Sequence, residues 1–150
     1  EIVILLPPAP RDEPIQPRLP GMSEAPPPMR ARVLVVDDEP LIARAVARTL
    51  RDYDVVVHSD GHDVLALLAR GERFDAIVCD LMMPAMTGME LFDRLVEVAP
   101  DQASRVIFLS GGAFTPQARE FLGRVKNARM DKPFETQALR ELVRRRIESH

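Results

Sequence analysis

The segment VLVVDDEP at residues 33–40 runs from four aliphatic side chains directly into three acids. A continuous aliphatic run is typical of a strand that is buried on both faces of a parallel sheet. A second apolar run, FDAIVCD at residues 74–80, stops at another acid, Asp80. Neighbouring carboxylates repel one another, so two buried strands that both end in acids predict a site for positive charge where the two ends meet.

Composition limits the possible function classes. A chain of 150 residues suits one domain with its own core, and a net charge of −3 gives no general attraction to nucleic acid or to a membrane surface. We therefore expect no nucleic-acid partner and no direct membrane contact. The single cysteine, Cys79, excludes an internal disulfide and fits the reducing cytoplasm, and no apolar run is as long as a membrane span.

Proline content separates the start of the chain from the rest. Nine of the 14 prolines lie between Pro7 and Pro28. Because proline removes a backbone donor and fixes φ, this composition predicts an extended linker over residues 7–29. The folded domain is then expected at residues 30–148, with a separate short strand at residues 1–6.

From Arg32 onward, strand patterns alternate with helix patterns. Strands are predicted at residues 32–37, 54–59, 74–80, 105–110 and 128–131, and helices at 40–53, 62–71, 87–100, 115–125 and 135–147. Leu41 recurs at helical spacing with other apolar residues of the first helix, and Val96 is assigned to the apolar face of the third. Five strand–helix units predict an open, parallel, doubly wound α/β sheet with five helices.

Five polar residues fall at the predicted carboxyl ends of strands one, three, four and five: Asp37, Asp38, Asp80, Ser110 and Lys132. Ligands of open α/β sheets bind outside these strand ends. Carboxylates without His or Cys suit a hard ion such as Mg²⁺, and a lysine with a hydroxyl beside glycine N–H groups suits an anion. These are the groups that phosphoryl transfer to a carboxylate requires.

Four motifs, VLVVDDEP, DLMMPAMTGMEL, FLSGG and DKPF, occur in this order and together resemble the receiver domain of two-component response regulators. The resemblance covers residues 30–148 and implies a flavodoxin-like sheet of order 2-1-3-4-5. It implies that Asp80 is the phosphoacceptor and receives its phosphoryl group from the phosphohistidine of a histidine kinase or a histidine phosphotransfer domain. It further implies that Ser110 and Lys132 contact the phosphoryl group and that Pro133 follows a cis peptide bond.

The resemblance also implies a Mg²⁺ site. Asp37, Asp38 and Asp80 would bind the ion together with the backbone carbonyl of Met82. A receiver catalyses its own phosphorylation and dephosphorylation, and the charge change switches its conformation. Whether the parent chain counts as an enzyme depends on the domains attached to it.

The beginning of the chain carries a second resemblance. EIVILLPPA is similar to the last strand of a histidine kinase ATP-binding domain. With the linker and the receiver, it implies a piece of a hybrid sensor histidine kinase, in which residues 1–6 end the kinase domain. Such a receiver would lie in the cytoplasm even if the parent kinase is anchored in a membrane.

Arg129 departs from the family pattern, because receivers usually carry Tyr or Phe three residues before the lysine. This aromatic ring turns inward on phosphorylation, so the usual readout is in question here. One alternative function is a degenerate receiver that only binds proteins, although the complete set of acids, hydroxyl and lysine argues against it. Another is a Mg²⁺-dependent phosphohydrolase with a nucleophilic aspartate, although such enzymes carry a second aspartate where this chain has Met82.

Overall fold

The computed structural model describes residues 30–111 and 115–149, so the predictions for residues 1–29 lie outside the described residues. Within them, five strands form one parallel sheet in the order β2-β1-β3-β4-β5, which confirms the predicted topology. The strands are β1 Arg32–Val36, β2 Asp54–His58, β3 Ala76–Asp80, β4 Val106–Ser110 and β5 Arg129–Asp131.

Six helices accompany the sheet in this part of the chain, one more than predicted: α1 Pro40–Thr49, α2 Gly61–Ala69, α3 Gly88–Val98, α4 Pro100–Ala103, α5 Pro116–Arg124 and α6 Thr136–Glu148. The additional helix, α4, has four residues and carries the buried side chain of Gln102. The amide of Gln102 accepts a hydrogen bond of 2.8 Å from the backbone N–H of Phe74 and donates one of 3.1 Å to the carbonyl of Phe74. These two hydrogen bonds give partners to the backbone N–H and carbonyl of Phe74, which are buried.

Two cores lie on opposite faces of the sheet, as expected for a doubly wound fold. Alternate residues of a strand point to opposite faces. Val33 and Val35 therefore pack in the core under α1 and α6, whereas Leu34 packs in the core under α2, α3 and α5. The second core contains three phenylalanine rings in edge-to-face contact, Phe92, Phe108 and Phe121, with centroids 5.3 to 5.7 Å apart.

Helix ends follow the local sequence. Pro40 and Pro116 occupy the first turns of α1 and α5, where a missing N–H costs nothing. The hydroxyl of Thr87 accepts from the backbone N–H of Glu90, which closes a capping box at the start of α3. Gly71 follows α2 with a φ of 97°, a conformation that favours glycine at a helix C-terminus. No helix within the described residues is long and apolar enough to cross a bilayer.

Two of the apolar helix assignments are wrong. Leu41 is 75% exposed, because the residues of α1 that reach the core are Ala43 and Val46. At about 100° per residue, Leu41 points roughly opposite to that buried face. Val96 is 48% exposed for a related reason, since it lies at the margin of the face through which Leu91 and the rest of α3 contact the core.

Candidate functional site

Two central strands bring the predicted acids together. β1 and β3 are paired with Val36 opposite Cys79, so the residues that follow them, Asp37 and Asp80, end adjacent strands. Both side chains are buried, and one carboxylate oxygen from each of Asp37, Asp38 and Asp80 lies within 4.8 Å of the others. The strand ends therefore produce the acidic cluster that the sequence predicts.

Lys132 supplies a positive charge to this cluster. Its ammonium nitrogen Nζ lies 3.1 Å from Oδ1 of Asp80 and 3.2 Å from Oδ2 of Asp37. The backbone N–H of Lys132 donates to the carbonyl of Ser110 at 2.7 Å, which fixes the chain just after β5. The peptide bond between Lys132 and Pro133 is cis, as the family resemblance implies. The predicted residues Asp37, Asp80 and Lys132, which lie at the ends of three strands, are thus joined by two ion pairs.

Ser110 and Met82 lie next to the cluster formed by the aspartates and Lys132. Ser110 is the last residue of β4 and is buried, and it follows Leu109, which pairs with Asp80 across the sheet. The backbone N–H of Met82 donates to Oδ1 of Asp80 at 3.5 Å, and the Met82 side chain is exposed. The roles implied for the Ser110 hydroxyl and the Met82 carbonyl remain predictions.

A cavity of about 410 Å³ opens over the cluster and is lined by Asp38, Glu39, Asp80, Met82, Gly111 and Lys132. It gives solvent access to a carboxylate that is itself mostly covered. Burial and the nearby charge of Asp37 together raise the pKa of Asp80 to about 6, against the opposing effect of Lys132. Burial lowers the pKa of Lys132, but the carboxylates of Asp80 and Asp37 outweigh this and raise it overall.

Two residues near the cluster received no role from the sequence. Oε1 of Glu39 lies 3.8 Å from Nζ of Lys132, at the mouth of the cavity. Gly88 begins α3, donates its N–H to the carbonyl of Leu81 at 2.8 Å, and leaves no room for a side chain: a Cβ would stand 2.4 Å from the carbonyl oxygen of Asp80. The signals were present, since Glu39 is the third acid of the opening motif and Gly88 follows a helix-capping threonine.

Arg129, which replaces the usual aromatic residue, lies on the surface. Its Nη1 donates to the carbonyl oxygen of Leu122 at 2.9 Å, near the end of α5. The last carbonyls of a helix lack partners within the helix, so this contact satisfies one of them and connects β5 to α5. The side chain is therefore engaged on the outside of the sheet.

Comparison with known proteins agrees with this geometry. Residues 33–144 match the family model of the response regulator receiver domain. A response regulator receiver protein of Anaeromyxobacter is 42% identical over 78 residues, which are 51% of this chain and 32% of that protein. The sensor kinase CckA of Brucella abortus is 31% identical over 121 residues, which are 79% of this chain and 13% of the kinase. The chain thus spans about a third or less of the length of these curated relatives.

Solved structures show the same architecture. The receiver domain of the response regulator AraT from Geobacillus stearothermophilus is 30% identical, with a TM-score of 0.66 over 80% of this chain and 95% of that one. A receiver domain of a histidine kinase from Syntrophus aciditrophicus has a TM-score of 0.70 at 24% identity, over 79% and 90% of the two chains, and supports the fold alone. The match to the family model covers most of the sequence, and the chain belongs to the response regulator receiver domains of two-component signalling.

Proposed function

We propose that this receiver accepts a phosphoryl group on Asp80 from a phosphohistidine and changes conformation in response. The observation that carries the proposal is the contact of Asp80 with Lys132, 3.1 Å apart beneath an open cavity. A buried carboxylate that faces both a cation and solvent is placed to act as a nucleophile toward an incoming anion. Carboxylates that serve only to cap helices or solvate the surface would not need this arrangement.

The transfer uses groups already assembled at the strand ends. A carboxylate oxygen of Asp80 would form a bond to phosphorus while the phosphorus–nitrogen bond of the donor breaks, and the electron pair stays on the imidazole. Asp80 must be ionised for this step, and a pKa of about 6 leaves most of it ionised at pH 7 and above. Lys132 would neutralise charge on the phosphoryl oxygens, and the Ser110 hydroxyl would donate to one of them.

The acidic cluster fits a magnesium ion. Its three members, Asp37, Asp38 and Asp80, offer only carboxylate oxygens, and these lie close enough to share one ion. Mg²⁺ prefers oxygen ligands, is bound through few carboxylates and retains several waters. We infer that these three residues and the Met82 carbonyl would hold it. Bound there, the ion would supply charge neutralisation for the transferring group.

We infer that the phosphodonor is a histidine kinase or a histidine phosphotransfer domain. The similarity to the sensor kinase CckA, together with the kinase-like residues 1–6 and the proline-rich residues 7–29, supports an origin in a hybrid kinase. In this arrangement the receiver at residues 30–148 works in the cytoplasm and requires no contact with nucleic acid. The domain would then be an acceptor in a relay, and a protein partner would carry the output.

Incubation with acetyl phosphate and Mg²⁺, followed by intact mass measurement, tests the proposal. We expect the wild-type chain to gain one phosphoryl group, Asp80→Asn to gain none, and Asp101→Asn, which changes an exposed aspartate in α4, to behave as wild type. Chelation of the metal should abolish the gain. A chain that stays unlabelled would indicate a degenerate protein-binding module. Rapid, continuous turnover of many acetyl phosphate molecules per chain, in place of one label that decays slowly, would indicate a phosphohydrolase.

A further inference from the structure

Glu39 has an unusual position for a helix N-cap. Its backbone N–H donates to Oδ1 of Asp37 at 2.9 Å, and its carbonyl accepts the first helical hydrogen bond of α1, from Ala43. The side chain makes no capping hydrogen bond, although capping is the usual role of a polar side chain at this position. Its carboxylate instead lies 3.8 Å from the ammonium of Lys132. Hydrogen bonds of the backbone thus fix the position of Glu39, and its carboxylate lies at the mouth of the cavity over the aspartates.

Lys132 is consequently shared among three carboxylates. Two of them, Asp37 and Asp80, are buried, whereas the Glu39 side chain is 64% exposed. The lysine side chain itself is 14% exposed, so it lies between the buried pair and the cavity mouth. An anion that enters the cavity meets the charge of Glu39 beside the cation that would bind it.

We propose that Glu39 is a positioning residue that lowers the affinity of this site for phosphoryl groups. The inference rests on the phosphoacceptor function proposed above and adds a means of setting its rate. Glu39 attracts the ammonium of Lys132 outward, in competition with a phosphoryl group on Asp80. It also repels anionic phosphodonors as they approach the cavity, because charges of like sign interact unfavourably.

The expected effect is moderate. Interactions of charges exposed to solvent are weak, so removal of the Glu39 charge should accelerate phosphorylation by roughly two- to fivefold. Dissolved ions screen exposed charges over a Debye length of about 10 Å at 0.1 M ionic strength. The acceleration should therefore be largest at low salt and should shrink as salt is added. A purely structural role of Glu39 would not produce this salt dependence.

The test compares Glu39→Gln with Glu135→Gln. Both glutamates are exposed N-caps without a side-chain capping bond, of α1 and α6 respectively, but within the described residues Glu135 forms no ion pair. The labelling rate with acetyl phosphate is measured at constant Mg²⁺ and pH, at low and high ionic strength, together with the dissociation constant of beryllofluoride, an anionic phosphoryl mimic. We expect faster labelling and tighter beryllofluoride binding in Glu39→Gln alone, with the advantage reduced at high salt.

The outcomes separate this inference from the proposed function. Wild-type labelling on Asp80 with no change in Glu39→Gln, or with a change that is independent of salt, overturns the role of Glu39 and leaves the phosphoacceptor function intact. Slower labelling of Glu39→Gln overturns it as well. Absence of labelling in every variant overturns the proposed function, and this inference with it.

Discussion

The ammonium nitrogen of Lys132 lies 3.1 Å from Oδ1 of Asp80, although Asp80 ends β3 and Lys132 follows β5. One lysine here opposes a cluster of three aspartates, so negative charge is in excess when no metal is bound. Burial, together with the charge of Asp37, raises the pKa of Asp80 to about 6 despite its cationic partner. The site is therefore costly to fold in its fully ionised, metal-free state, and the stability of the domain should depend on both pH and metal.

Replacement of Asp80 by Asn should stabilise the metal-free protein at neutral pH. The folded pKa of about 6 exceeds the ordinary value of 3.8, so the folded chain binds the Asp80 proton more tightly than the unfolded chain does. The stability contributed by that proton is fully present below about pH 4 and is lost as the pH rises through 6. At pH 7 the loss corresponds to about 3 kcal/mol of unfolding free energy, of which Asp80→Asn should recover about 1 to 3.

Urea unfolding at pH 4, 5.5 and 7.5 in chelator measures this difference. Glu97→Gln, which neutralises an exposed acid on α3, serves as the control and should match wild type throughout. Equal stability of Asp80→Asn and wild type at pH 7.5 would mean that ionised Asp80 does not lower the unfolding free energy.

Magnesium should stabilise the wild-type protein and fail to stabilise Asp38→Ala. Asp38 belongs to the cluster of oxygens within 4.8 Å, and the ion retains most of its waters, so the loss of one carboxylate removes much of the site. A ligand at ten times its dissociation constant adds about 1.4 kcal/mol to the unfolding free energy. Thermal unfolding in a magnesium titration reports the gain. A response of Asp38→Ala equal to that of wild type would argue against this site.

Gly88→Ala should disturb the loop after β3. The new Cβ would stand 2.4 Å from the carbonyl oxygen of Asp80, so either the strand end or the start of α3 must move. We expect a loss of about 1 to 3 kcal/mol in unfolding free energy, as for other overpacked sites, and weaker magnesium binding. Gly123→Ala is the matched control, because its Cβ would meet nothing within 4 Å. As an alanine within a helix it should stabilise the protein by up to about 1 kcal/mol.

Arg129 should remain on the surface when the site carries a phosphoryl mimic. Burial of a charged side chain without a partner is unfavourable, and Arg129 already has a partner in the Leu122 carbonyl, 2.9 Å away. Beryllofluoride should therefore alter hydrogen exchange near residues 111–116 and the start of α5, and it should leave the exchange of residues 128–131 unchanged. New protection at 128–131 and in α6, with a shift to dimer on size exclusion, would show that an arginine can replace the aromatic switch.

The sequence predicts the fold because its two main signals, the apolar runs of the strands and the helical spacing of apolar residues between them, are local. Apolar runs such as residues 33–36 and 76–79 alternate with helical spacing, and this alternation leads to a parallel sheet whatever the details of packing. The strand ends are equally readable, so the strand pattern alone is sufficient to put Asp37 and Asp80 at one edge of the sheet. Helix faces are less predictable: Leu41 satisfies the helical spacing, but only its angle to the sheet shows that it is exposed.

The parts that were not predicted depend on contacts between segments that are distant in the sequence. Gln102 is buried in α4 because it bonds the backbone of Phe74, 28 positions away. Glu39 and Lys132 are close in space although they are far apart in the sequence, and composition cannot reveal such a contact. The packing of Gly88 against Asp80 is a local contact, but it follows from the backbone path of the loop between them, which the residue pattern does not specify.

Chemical location of the phosphoryl group tests the central claim most directly. An aspartyl phosphate is an acyl phosphate, and borohydride reduces it to homoserine, which peptide mass spectrometry can assign to one position. After treatment with acetyl phosphate and Mg²⁺, or with a phosphorylated histidine kinase, we expect homoserine at position 80 in the wild-type chain. Asp80→Asn should give none at any position. Homoserine at another aspartate, or a stable phosphoester in place of the acyl phosphate, would contradict the assignment of Asp80 as the phosphoacceptor.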